Sequence, residues 1–193
     1  MPSDEIYIIL TATGTWFSRT IQLFTRAPLN HASISFDKDL NEVYSFGRKK
    51  LNNPFRSGFI REDFLNPFYD RAQCAVFRIR VGEFRYELMR RHVGEMLQCQ
   101  DKYKYHLLGL IGVLLRKRIA KDHAYFCSSF VASVLERNGW AIGKPFYFMT
   151  PADFEQSFSS HEIYRGTVSG YMESIGRAYP RHAATGLRAA VNA

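Results

Sequence analysis

The sequence predicts an α+β domain, on three observations. Short apolar runs with the two-residue period of strands recur at residues 6–10, 31–36, 43–46 and 74–80. Between and after them, apolar residues fall at the three-and-four spacing of amphipathic helices. Hydrophobic residues make up 46% and aromatic residues 15% of the 193-residue chain, enough to argue against disorder and for one substantial core.

The elements follow in order. Ile6, Tyr7, Ile8, Ile9 and Leu10 predict a short strand, and Trp16, Phe17, Ile21 and Phe24 a helix that ends before Pro28. In the next strand Ala32, Ile34 and Phe36 alternate with His31, Ser33 and Ser35, which sets an apolar face against a polar one able to line a cleft. Residues 43–46 pair with it. Between Lys49 and Tyr69 the chain is rich in Asn, Pro, Gly and Phe, and predicts a long loop with a short strand at Gly58, Phe59 and Ile60. A strand over 74–80 leads to a helix over 81–99. Phe84, Leu88, Met89, Val93, Met96 and Leu97 form its inner stripe, with Arg85, Arg90, Arg91 and Glu95 opposite. An apolar helix over 107–115 is followed by Arg116, Lys117 and Arg118. Phe130, Val131, Val134 and Leu135 mark a further helix, stopped by Asn138-Gly139. Thr150-Pro151-Ala152-Asp153 has the cap, first-turn proline and acidic residue of a helix start. Apolar periodicity fades after Tyr171. The reading is one domain over residues 1–180 and a frayed tail over 181–193.

Cys127 carries the chemistry. It falls in or near the first turn of the 130–135 helix, where unpaired backbone N–H groups and the helix dipole favour thiolate over thiol. The same N–H groups can form part of an oxyanion hole. A thiol nucleophile needs a base that titrates near neutrality, and His31, on the polar face of its strand, is the candidate. His123 lies four residues before Cys127, but Tyr125-Phe126 suggests an extended entry into the helix, so His31 ranks first.

A histidine opening a strand, followed much later by Tyr125-Phe126-Cys127-Ser128-Ser129-Phe130-Val131 at a helix start, resembles the permuted papain-like hydrolases. These are circularly permuted relatives of the NlpC-type cell-wall peptidases, and the surrounding segments fit a bacterial branch whose members mostly lack an assigned substrate. The resemblance runs from about Ile6 to about Tyr171, with the two motif segments its specific part. It implies an antiparallel sheet packed against the cysteine-bearing helix, Cys127 as nucleophile and His31 as general base. It also implies an orienting residue on the strand after the histidine, often glutamate. The matching position holds Ser45, and Glu42 is the alternative if the strand register slips by one residue. A hydroxyl in that place stabilises an imidazolium less than a carboxylate does.

Three cysteines, Cys74, Cys99 and Cys127, without paired spacing predict no disulfide framework, and no Cys-x-x-Cys or His-Glu-x-x-His pattern points to a metal. No cofactor is predicted. The acidic start Met1-Pro2-Ser3-Asp4-Glu5 lacks the features of a secretory signal, which predicts a cytoplasmic location. The apolar run before Arg116, Lys117 and Arg118 is short of the roughly 20 residues that span a bilayer, yet with its basic flank it can rest on an anionic membrane at the inner face. A net charge of +8 admits nucleic acid, but no helix-turn-helix, RNA-recognition or zinc-finger pattern accompanies it. The expected substrate is an amide or ester. Likeness to the cell-wall peptidases implies a peptide, and relatedness to the lecithin:retinol acyltransferase group a lipid, with acyl transfer as an option. The alternative is a catalytically degenerate peptide- or membrane-binding module, for which Ser45 in place of an acid is the main support.

Overall fold

In a computed structural model that describes residues 4–12, 28–50, 53–100, 104–105 and 124–178, the strands join one sheet. They are β1 (Glu5–Ala12), β2 (His31–Ser35), β3 (Val43–Lys50), β4 (Asn53–Glu62), β5 (Gln73–Arg80), β6 (Lys104–Tyr105), β7 (Ala124–Tyr125) and β8 (Glu162–Thr167), in the spatial order β7-β6-β4-β3-β2-β1-β5-β8. Neighbours are antiparallel except the short β6 and β7 pair. The helices are α1 (Glu83–Gln98), α2 (Cys127–Arg137), α3 (Pro151–Ser157) and α4 (Val168–Ser174). The fold is α+β.

Cross-strand register sorts the side chains onto two faces, because directly opposed residues point to the same side of a sheet. Leu10 with Ala32, Ile8 with Ile34, Ile34 with Tyr44 and Phe46 with Phe59 lie on one face. They meet Tyr86, Met89, Val93 and Met96 of α1 and Phe130, Val131, Val134 and Leu135 of α2 in the larger core. Thr11 with His31, Ile9 with Ser33, and Val43 with Glu62 lie on the other. A second apolar cluster covers that side, built from Ile9, Val43, Phe64, Tyr69, Val168, Tyr171 and Met172. The alternation read in residues 31–36 is therefore present, but the serine face is no open cleft. Ser33 and Ser35 are fully buried, and only His31, at the strand's end, reaches solvent.

Two other expectations need correction. The segment expected as a long loop with a strand at 58–60 instead holds the whole of β4, paired with β3 from Val43 opposite Glu62 to Lys50 opposite Asn53. The Pro54 and Gly58 that argued for a loop both lie within β4, Gly58 opposite Gly47 and Pro54 in the irregular stretch between the Lys50–Asn53 and Arg48–Ser57 pairs. In α1, Phe84 is 76% exposed and does not belong to the inner stripe. Tyr86 takes that place, with its ring edge-on to Phe36 at 5.7 Å and its hydroxyl donating to the Phe36 carbonyl at 2.9 Å.

Helix ends follow the sequence closely. Asn138 caps α2 and Gly139 follows at φ 78°, in the left-handed region glycine adopts without strain. At α3 the Thr150 hydroxyl accepts from the Asp153 N–H, the Asp153 carboxylate accepts from the Thr150 N–H at 2.7 Å, and Pro151 opens the helix. The helix predicted from Trp16 to Phe24, the apolar run 107–115, Arg116, Lys117, Arg118, His123 and the 181–193 tail lie outside the described residues. Among the described residues no helix is long and apolar enough to cross a membrane.

Candidate active site

Cys127 is the first residue of α2, and the reason its first turn is chemically open lies one residue earlier. The N-cap is Phe126, which has no side-chain oxygen with which to claim the first N–H groups. Ser129 partly compensates by accepting from the Phe126 N–H at 3.0 Å, and Ser128 ties the turn down by donating to the Met149 carbonyl at 2.7 Å. The N–H groups of Ser128 and, from β2, Ala32 favour the thiolate of Cys127.

An opening in the sheet lets the helix start reach the histidine. Strands β2 and β3 pair only at Ile34 with Tyr44 and Ser35 with Val43. Beyond that, β2 stays with β1 back to His31, whereas β3 stays with β4 out to Lys50. The two strands part, and α2 packs against both, with the Phe130 ring 5.4 Å from that of Phe46.

The imidazole of His31 hydrogen-bonds Glu62 and interacts electrostatically with Cys127. Its Nε2 lies 2.9 Å from Glu62 Oε1, and since a carboxylate only accepts, Nε2 carries the proton there. That leaves Nδ1 for the thiol. Glu62 is fully buried at the end of β4 and takes two further donors, the Ser33 hydroxyl on Oε1 at 2.7 Å and the Tyr69 hydroxyl on Oε2 at 2.7 Å. Cys127 is 8% exposed and the His31 side chain 23%, so the thiol and the imidazole reach solvent while the carboxylate behind them does not.

Burial opposes charge on all three groups, and mutual interaction outweighs it. For His31, burial would depress the imidazole, but the Glu62 charge and the interactions with Cys127 and Glu62 raise it from 6.5 to about 10. For Glu62, burial would raise the carboxyl, but His31 and the surrounding hydroxyls lower it from 4.5 to about 2. Burial also disfavours the Cys127 thiolate, yet the interaction with His31 and the Ala32 and Ser128 N–H groups hold the thiol below its ordinary value. Cys74 shows the contrast. Buried without such partners, it is pushed up to about 12.

These shifts set a pH window for stability. Glu62 titrates lower in the folded chain than in the unfolded, so its contribution is complete above 4.5 and is lost as pH falls toward about 2. His31 titrates higher when folded, so its contribution is complete below 6.5 and is lost as pH rises toward about 10. Both shifts describe one ion pair and do not add. The difference in melting temperature between wild type and Glu62→Gln should be widest between pH 4.5 and 6.5 and narrow on both sides. A constant difference across pH would contradict the pairing.

Of the residues predicted from sequence, Cys127 and His31 come together and Ser45 does not join them by a hydrogen bond. Its buried hydroxyl stands close enough to Glu62 to favour the carboxylate charge, but it completes no hydrogen bond of normal geometry. The side chain that hydrogen-bonds the imidazole is that of Glu62, because β4 lies beside β3 and brings a longer acidic side chain to the same face. Glu42 points elsewhere, with its carboxylate 3.0 Å from Arg90. Glu62 escaped the sequence reading because it sat in the presumed loop. The alternation of Ile60 and Glu62 with Phe59 and Arg61 was the available signal. Among the described residues no group of three or more His, Cys, Asp or Glu side chains is placed to hold a metal ion. No family model matches the chain, and no curated protein or solved structure matches it either.

Proposed function

We propose that this chain is a cysteine-dependent hydrolase of amides or esters, with the circularly permuted papain-like arrangement that its sequence resembles. The observation that carries the reading is the row of Cys127, His31 and Glu62, in which a thiol held below its ordinary titration range interacts with an imidazole hydrogen-bonded to a buried carboxylate. The order of parts supports it as well. The histidine strand precedes the cysteine helix, and an antiparallel sheet packs on that helix.

In this mechanism the Cys127 thiolate attacks the substrate carbonyl carbon, and the carbonyl electrons move onto oxygen. Backbone N–H groups at the start of α2 stabilise that oxyanion. The imidazolium of His31 gives its proton to the leaving amine or alcohol as the tetrahedral intermediate collapses to a thioester. Neutral His31 then takes a proton from water, which attacks the thioester and frees the acid and the thiolate. Glu62 keeps the imidazole oriented and its cation stabilised throughout. A peptide amide and a lipid ester or amide both suit this chemistry, and an acceptor alcohol or amine in place of water gives acyl transfer. An intracellular setting, with the segment around Arg116, Lys117 and Arg118 against the inner membrane face, belongs to the same proposal. The binding-module alternative leaned on Ser45 standing where an acid is usual, and with a carboxylate at Glu62 that support lapses.

Alkylation of Cys127 by iodoacetamide, followed residue by residue by mass spectrometry across pH, tests the pair. The expected midpoint in wild type lies well below the ordinary thiol value of about 8.5 and rises by about one unit or more in His31→Ala. A wild-type midpoint at or above the ordinary value, indifferent to His31, ends the proposal.

A further inference from the structure

We propose that Tyr69 and Ser33 are positioning residues that keep Glu62 anionic and aimed at His31. The inference rests on the assignment of Cys127 and His31 as the reacting pair and extends it to the residues behind the carboxylate.

The argument begins with what a buried carboxylate needs. Removed from water, it must recover its solvation from fixed donors or take up a proton. Glu62 has no exposed side-chain surface, and among the described residues His31 is its one cationic partner within ion-pair distance. Its other donors are neutral hydroxyls, Ser33 on Oε1 and Tyr69 on Oε2. Neutral donors stabilise the anion without supplying a competing positive charge, so compensation of that charge falls to the imidazolium. Arginine or lysine in either place would satisfy the carboxylate and weaken its hold on His31.

The two hydroxyls are themselves held in place. Ser33 follows His31 by two residues on β2, so strand geometry alone puts both on one face. Tyr69 ends the single turn Pro67–Tyr69, which Asn66 caps by accepting from the Phe68 N–H at 3.0 Å and which opens on Pro67. The Tyr69 ring is buried against Phe64, with ring centroids 4.7 Å apart. The loop between β4 and β5 therefore delivers a hydroxyl to the carboxylate oxygen that His31 does not touch. The titratable groups acting on His31 are Glu62 and Cys127, and Tyr69 acts on Glu62. Strand β1 presents Thr11 and β3 presents Ser45 and Gly47 to this face, none of them charged.

The test compares Tyr69→Phe with Tyr86→Phe. Tyr86 also donates a buried hydroxyl, but to the Phe36 carbonyl, so its loss controls for the structural cost of removing such a bond. The readouts are the Glu62 carboxyl titration by carbon-detected NMR and the pH midpoint of Cys127 alkylation. In Tyr69→Phe the Glu62 midpoint should rise by about one to two pH units, as expected when a buried acceptor loses a donor. Tyr86→Phe should leave it unchanged. Should Tyr69→Phe not fold, Ser33→Ala carries the same test, with a shift in the same direction. An unchanged Glu62 midpoint in the folded variants, or an equal shift in Tyr86→Phe, overturns the inference. If the wild-type thiol has no depressed midpoint, the reacting pair itself fails. A depressed, His31-dependent thiol midpoint beside a Glu62 midpoint that ignores Tyr69 and Ser33 removes only the positioning role.

Discussion

Replacing Glu62 with glutamine should slow Cys127 alkylation at about pH 6 by on the order of a hundredfold and lower folding stability by on the order of 3 kcal/mol. The substitution keeps the volume and a polar end but removes the charge that most favours the imidazolium. Without it, burial dominates His31, the imidazole is neutral near pH 6, and the thiol loses the cation that favours its ionisation. The Ser33 and Tyr69 hydroxyls, now facing an amide, have one oxygen between them where the carboxylate offered two. Alkylation rates and denaturant titrations of the two proteins measure both effects. An unchanged rate would mean that the thiol is activated without Glu62.

Phe130→Ala should cost about 3–5 kcal/mol, the range for deleting a large aromatic side chain from a close-packed core. Phe130 is fully buried, with its ring 5.4 Å from Phe46 and 5.3 Å from Phe59, and Phe46 in turn lies 5.2 Å from Tyr125. It stands one turn after Cys127, so the same contacts that stabilise the core seat the start of α2 between β2 and β3. Chemical denaturation gives the stability change. A folded Phe130→Ala with a loss under about 1 kcal/mol would show that the aromatic cluster repacks and does not hold the helix.

The pairing of His31 with Cys127 was legible because each residue carries a local signal. Alternation sets His31 apart from Ala32 and Ile34, and the apolar spacing after Cys127 places that residue at a helix start. Both are consequences of backbone period, which needs no knowledge of distant partners. Phe84 shows where period alone falls short. Its spacing admits it to the inner stripe of α1, but it lies in the first turn, and Tyr86, anchored by Phe36, takes the inner place.

Glu62 was not legible for a different reason. Its role depends on which residue of β4 lies opposite which residue of β3, and a bulge between Arg48 and Lys50 alters that register. A pairing extended unbroken from Lys50 with Asn53 would put Glu62 opposite Asn41; the bulge moves it opposite Val43, two residues nearer Ser45 and the end of β2. No local propensity encodes such a slip. Spacing along a single strand or helix is enough for the α+β class, the helix start at Cys127 and the face that His31 occupies. Spacing says nothing of the burial of the polar face of β2, of Glu62 in place of Ser45 against the imidazole, or of Tyr69 on the same carboxylate. Those outcomes turn on strand register and on a loop folding over the sheet, and both are settled by packing between segments far apart in the chain.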